Sequence, residues 1–224
     1  QDAKPDFQNW IHVTCTGYAS PSLVQTMISR RNWGESVQAM HAYHMGCYAS
    51  IPAIRMARGQ GESEILHTEL CTLHLDPSRH DPEQLVIQSL FADGVIRYRA
   101  GQKKPDVGYQ IEEIKEVIAP ASLPHMTWDV SGHGFRMTLS RDVPQLVQSS
   151  VADVVRKWRT PDCVYAIHPG GPRVIDGVKE ALGLSEEQVY FSRQILREHG
   201  NMSSATLPHV WQKMLSEVPS GTPV

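Results

Sequence analysis

The sequence predicts an α/β fold, on three observations. Short apolar runs of strand length alternate with amphipathic segments of helical period along most of the chain. Capping boxes and glycine stops punctuate the helical segments. Small-residue turns, rather than long polar loops, join the strands to the helices.

The elements follow in order. Residues 10–15 (WIHVTC) read as a short buried strand, and Gly17 to Pro21 as the turn after it. Residues 21–29 suit a helix, and 37–43 suit a strand running into His44-Met45-Gly46-Cys47. The small apolar stretch after Cys47 carries Pro52, which a helix tolerates only near its start, so Cys47 is predicted where a strand turns into a helix. A strand over 65–75, a helix over 82–91 and a strand over 95–100 come next, the last after an Ala92-Asp93-Gly94 turn. Two further strands, 111–118 and 126–139, suggest antiparallel pairing, the second being broken by Ser131-Gly132-His133-Gly134.

Asp142 and Gln145 form a capping-box pattern for a helix whose face is Val143, Val147, Val151, Val154, Val155 and Trp158. A short strand over 163–167 ends at His168-Pro169-Gly170-Gly171-Pro172. The next helix uses Val174, Ile175, Val178, Ala181 and Leu182 and stops at Gly183. Another opens at the capping box beginning with Ser185. Gly200-Asn201 then breaks the chain before a last helix with Leu207, Val210, Trp211 and Met214.

Composition excludes several classes. With 41% hydrophobic and 20% charged residues, the 224-residue chain is ordinary for a globular protein. A net charge of -3 gives no reason to expect nucleic acid, and no apolar run is long enough to span a bilayer. Four scattered cysteines without a CxxC pair argue against a zinc ribbon or a secreted disulfide framework, and point to a reducing, cytoplasmic setting. The chain starts at Gln1 and stops at Val224 without a closing element, so a piece of a longer protein is expected.

Three residues carry candidate chemistry. Cys47, at a turn with Gly46 before it, is placed for a nucleophile near a helix N-terminus, although a buried structural cysteine fits the same position. His168 ends a strand before almost bulk-free residues, where a ligand could approach the backbone; a simple turn histidine is the alternative. Asn201 sits in a tight polar approach to a helix, as an oxyanion donor or a capping residue. Histidine pairs at 41/44 and 74/80, with Asp76 and Asp81 nearby, lack the spacing that would complete a metal site.

Together, Cys47 in HMGCYAS, His168 in AIHPGGPRVID and Asn201 in REHGNMSSA resemble the three catalytic motifs of type III polyketide synthases, the chalcone and stilbene synthase family. VTCTGYASPS, QSLFADG and MTLSRDVP add matches in order along the chain. The resemblance implies a thiolase-like layered fold (αβαβα), seen in part. Residues 1–122 would be the end of the first half and 123–224 most of the second.

By the same resemblance Cys47 is the nucleophile, with His168 and Asn201 as its partners. A Cys⁻–His⁺ pair would keep the thiolate populated near neutral pH. Phe91 matches the phenylalanine between coenzyme A tunnel and cavity, Met137 replaces a second gatekeeping phenylalanine, and Cys15, His74 and Ser203 line the cavity, with Trp128 a further hint at its size. The implied substrates are acyl-CoA and malonyl-CoA, with no cofactor and no metal, in a homodimer without a membrane span. The segment from His67 to Gly94 looks most like the bacterial branch that makes alkylpyrones or alkylresorcinols from fatty acyl starters. The family's N-terminal basic residues and its GFGPG loop have no counterpart here. A priming-type ketoacyl synthase would share the fold but use an HQAN motif, and a thiolase would need a later second cysteine. A truncated, non-catalytic remnant is the alternative of a different class.

Overall fold

A computed structural model describes residues 5–155 and 163–224. Its first part is a four-stranded sheet in the order β2-β1-β3-β4. Strand β1 (Asn9–Thr14) pairs in parallel with β2 (Gln38–Tyr43) and β3 (Ser63–Glu69), and β4 (Gly94–Ala100) runs antiparallel to β3. Helices cover both faces. On one, α2 (Ser50–Gln60) brings Ala49, Ala53 and Ala57 against Ile11, Val13, Ala42 and Ile65. Alanine at every fourth position lets the helix approach the sheet closely, which fixes how its N-terminal turn meets the strand ends. On the other face α1 (Leu23–Arg30) packs Val24 and Ile28 with Phe7, Trp10 and Leu66. Strand β1 is buried along its whole length, as a strand covered on both faces must be.

Helix α3 (Pro82–Leu90) lies between the 3₁₀ turn Cys71–His74 and β4. Strands β5 (Met126–Val130) and β6 (Phe135–Leu139) form a hairpin of their own, so the single broken strand expected over 126–139 is instead two strands paired with each other across Ser131–Gly134. Helix α4 (Val143–Val155) packs Val147, Val151 and Val155 against Ile175, Val178 and Leu182 of α5 (Pro172–Leu182). Trp158, assigned to the α4 face from sequence, lies outside the described residues. Helix α6 (Glu186–His199) opens on the complete Ser185 capping box, and α7 (Thr206–Glu217) joins it over β4, where Ile195, Val210 and Met214 meet Ile96. The layered α/β arrangement is the one expected. No helix among the described residues is long and apolar enough to cross a membrane.

Two expected strands are absent, and the predicted strand over 65–75 ends early. Residues 111–118 form no strand. Ile114 packs on the α2 core and Glu116 pairs with Arg55, yet among the described residues no strand pairs with this segment. Residues 163–167 likewise form no ladder: Val164 N–H donates to Pro223 O, Tyr165 N–H to Gln188 O, and Ile167 N–H to Ser192 Oγ. Strand β3 stops at Glu69, where the chain tightens into the Cys71–His74 turn.

The contact between β4 and the segment leading into α7 is close. A Cβ added at Gly94 would stand 2.6 Å from Met202 Cβ, so the two backbones meet there with no room for a methyl group. Gly94→Ala is expected to lower stability by about 1–3 kcal/mol, as overpacking does. A reduced urea midpoint checks this, whereas an unchanged midpoint would show that Met202 yields without cost.

Candidate active site

After β2 the chain turns sharply. His44 (φ 55°) and Gly46 (φ 80°) both adopt the left-handed conformation, and His44 N–H is fixed by Thr14 O at 3.0 Å. This turn presents Cys47 just ahead of α2, at the predicted strand-to-helix step. Its Sγ donates to Ser203 Oγ at 3.8 Å.

Asn201 links this thiol to the second half of the chain. Its backbone bonds to the end of α3, with Asn201 N–H to Leu90 O at 2.8 Å and Ala92 N–H to Asn201 O at 2.9 Å. Its Oδ1 accepts from Ser203 N–H (3.0 Å) and Thr206 Oγ1 (3.3 Å). Those two donors leave the amide nitrogen facing the other way, where it donates to Gly170 O at 3.4 Å and the side chain reaches the Cys47 sulfur. Gly200 (φ 73°) permits the approach: a Cβ there would lie 3.1 Å from Leu90 O.

His168 stands at the start of the loop to which Asn201 is tied. Gly170 runs close along its ring, and Pro172 opens α5. Both ring nitrogens are buried without a hydrogen-bond partner. A buried polar atom left unpaired costs about 1–3 kcal/mol, so this imidazole is held for a group that the folded chain does not supply. Burial pushes its pKa down to about 4. Burial likewise pushes the Cys47 thiol up to about 11, with the Ser203 hydroxyl opposing and the Glu69 carboxylate adding to the rise. Desolvation thus favours neutral thiol and neutral imidazole over the thiolate–imidazolium pair expected from the sequence.

A cavity of about 770 Å³ opens beside the thiol. Cys15, Cys47, His74, Phe91, Met137 and Ser203, all assigned from the sequence, line it. Trp128 also lines it, as does Phe135, which the sequence reading did not single out. His168 and Asn201 are not part of its wall; Asn201 is tied to the His168 loop through the Gly170 carbonyl.

Sequence reasoning also missed the support under the site. Glu69 is fully buried and accepts from Cys15 N–H (3.0 Å), Thr16 Oγ1 (2.7 Å), Ser204 N–H (3.3 Å) and the Ser204 hydroxyl. With its hydrogen on Glu69, the Ser204 hydroxyl accepts from His67 Nδ1 at 3.0 Å, which leaves His67 Nε2 to accept from Tyr98 OH at 3.0 Å. Burial raises the Glu69 carboxyl above its ordinary range, and its hydrogen bonds pull it back. The carboxylate clamps the end of β1 to the 3₁₀ turn Ser203–Ala205, holding Ser203 in a left-handed conformation (φ 50°) against the thiol. Glu69 ends a strand, SEILHTE, in which polar and apolar residues are mixed, so no local signal marked it. Among the described residues no group of three His, Cys, Asp or Glu side chains is arranged to hold a metal; His41 instead bonds to Ser22, and His74 to backbone.

A layered α/β fold that sets a cysteine, an asparagine and a histidine around one loop crossing defines a thiol-centred candidate site. The family model for chalcone and stilbene synthases, C-terminal domain, matches residues 110–221, half of the chain. The chain belongs to the chalcone and stilbene synthase family. It is 29% identical over 218 residues to a putative chalcone synthase of Bacillus subtilis (strain 168), covering 88% of this chain and 60% of the relative. It is 27% identical to the 1,3,6,8-tetrahydroxynaphthalene synthase of Streptomyces coelicolor, covering 92% of this chain and 58% of that protein. The crystal structure of that synthase, described as a bacterial type III polyketide synthase, superposes with a TM-score of 0.87 at 25% identity, covering 95% of this chain and 64% of that one. The chain thus spans about three fifths of the length of the curated relatives it matches.

Because burial pushes the Cys47 thiol up to about 11, its alkylation by iodoacetamide is expected to accelerate about tenfold per pH unit between pH 7 and 10. Mass spectrometry of the peptide 32–55, which contains no other cysteine, reads this directly. A rate already level at neutral pH would show an ion-paired thiolate.

Proposed function

We propose that this chain carries the reaction centre of a type III polyketide synthase, an acyltransferase that extends an acyl-CoA starter with malonyl-CoA. The observation that supports it best is the Asn201 amide, which faces both the Cys47 sulfur and the carbonyl of Gly170, two residues from an imidazole with free nitrogens.

In this reading Cys47 attacks the starter thioester. As the C–S bond forms, the thiol proton passes to the vacant nitrogen of His168 and then to the departing coenzyme A sulfur. A neutral, unpartnered imidazole suits that role better than one already protonated. Malonyl-CoA follows, and its C–C bond to the carboxylate breaks with release of CO₂. The electron pair is delocalised onto the thioester oxygen, where His168 and Asn201 N–H groups stabilise it. The enolate carbon attacks the Cys47 acyl carbonyl, expelling the Cys47 sulfur and leaving the chain longer by two carbons. Phe91 stands at the cavity edge, where it would orient the malonyl unit.

The cavity walls are largely apolar side chains such as Ile87, Phe91 and Met137, which suits a fatty acyl starter. Alkylpyrone or alkylresorcinol products, a homodimer and a cytoplasmic setting complete the proposal.

The test is incubation of the purified protein with malonyl-CoA and acyl-CoAs of several lengths, read by product mass. Extended products are expected, longest for starters that fill the cavity. Cys47→Ala should abolish them, and Asn201→Ala should slow them about 10²–10³-fold, the loss of one oxyanion donor. No malonyl-extended product from any acyl-CoA would contradict the reading.

A further inference from the structure

The β5–β6 hairpin supplies Trp128, Phe135 and Met137 to the cavity wall, yet it belongs to no larger sheet among the described residues. It is held to the first part of the chain mainly by single side-chain bonds. Trp128 Nε1 donates to Cys15 O at 2.6 Å, Gln84 Nε2 to Met137 O at 3.0 Å, and Leu139 N–H to Glu83 Oε1 at 2.7 Å. His133 Nε2 meets Leu75 O at 2.8 Å. His74 differs from all of these because both of its ring nitrogens are committed to main chain. Nε2 lies 2.7 Å from Thr16 O, and a carbonyl only accepts, so Nε2 carries the ring hydrogen. Nδ1 accepts Phe135 N–H at 3.0 Å and so carries none. The ring also stacks on Phe135 (centroids 4.9 Å, interplanar 19°) and stands edge-on to Trp128 (5.1 Å, 84°).

We propose that His74 is a positioning residue whose imidazole latches the β5–β6 hairpin over the Cys47 cavity, joining Thr16 O through one ring nitrogen and Phe135 N–H through the other. His133 is no equivalent, because it meets main chain through Nε2 alone. The other titratable groups around the ring are Arg136 on the hairpin, His44 and Cys47 on the turn into α2, Cys15 after β1, Glu83 on α3, and Cys71, Asp76 and Arg79 on its own loop. None of them hydrogen-bonds to the His74 ring; Asp76 bonds instead to Ser78, Arg79 to Asp81, and Glu83 to Leu139 N–H. Thr16, the other end of the latch, is itself fixed by Glu69. Any effect on catalysis rests on the proposed role of the cavity, but the latch can be read without it.

Amide hydrogen exchange at one fixed pH tests this. His74→Leu is expected to lower protection of the peptide containing Phe135 about tenfold, while a β3 peptide keeps its protection. His74→Gln, whose amide can donate to Thr16 O and accept from Phe135 N–H, should retain the wild-type protection. Full protection in His74→Leu, a parallel loss in β3, or a loss in His74→Gln equal to that in His74→Leu would each overturn the proposal. The readout needs no turnover, so failure of the latch and failure of the polyketide reading are separate outcomes.

Discussion

The folded site depends on how Asn201 is held. Its backbone is stitched to the end of α3, and its side-chain oxygen is occupied by Ser203 N–H and the Thr206 hydroxyl. Those bonds leave the amide N–H groups no direction except toward Gly170 and Cys47. Beneath them, Glu69 joins the end of β1 to the Ser203–Ala205 turn, so the thiol, the hydroxyl beside it and the amide are fixed by one buried carboxylate with four donors. A buried carboxylate is costly unless every lone pair finds a donor, and here the donors come from segments far apart in sequence. The same bonds that satisfy the charge therefore also bring the two parts of the chain into register.

The electrostatics of the pocket follow from dryness. Cys47 and His168 are both pushed toward neutrality by desolvation, and no charged partner close by restores either one. A neutral pair is compatible with thiol chemistry if proton and sulfur move together when a thioester arrives. The unpartnered nitrogens of His168 are the structural counterpart of that demand, since donors and acceptors left empty in a folded interior await a ligand. The protein thus invests its polar groups in geometry rather than in a standing charge.

Much of this was legible in the sequence because the signals were local. The Ser185 capping box, the Gly183 stop and the Pro172 start are decided by residues within one helical turn, and each falls where the pattern places it. Cys47, His168 and Asn201 were visible because glycines and small residues mark the sharp turns that carry them. What was not legible needed partners. Residues 111–118 and 163–167 have strand character, but a strand exists only with a neighbour, and none lies beside them among the described residues. Glu69 looked like one more polar residue in a mixed strand, since its meaning lies in Ser204, 135 positions away. The desolvation of Cys47 and His168 was hidden for the same reason: burial is a property of the packed chain.

The central claim is that Cys47, among the cysteines around this cavity, is the one that takes an acyl group. Brief exposure of the protein to an acyl-CoA without malonyl-CoA, followed by acid quenching and peptide mapping, measures this. The account predicts a single acyl adduct, confined to the peptide 32–55 and removed by hydroxylamine as thioesters are. An adduct on Cys15 or Cys71, or none on Cys47 when the chain is folded, would contradict it.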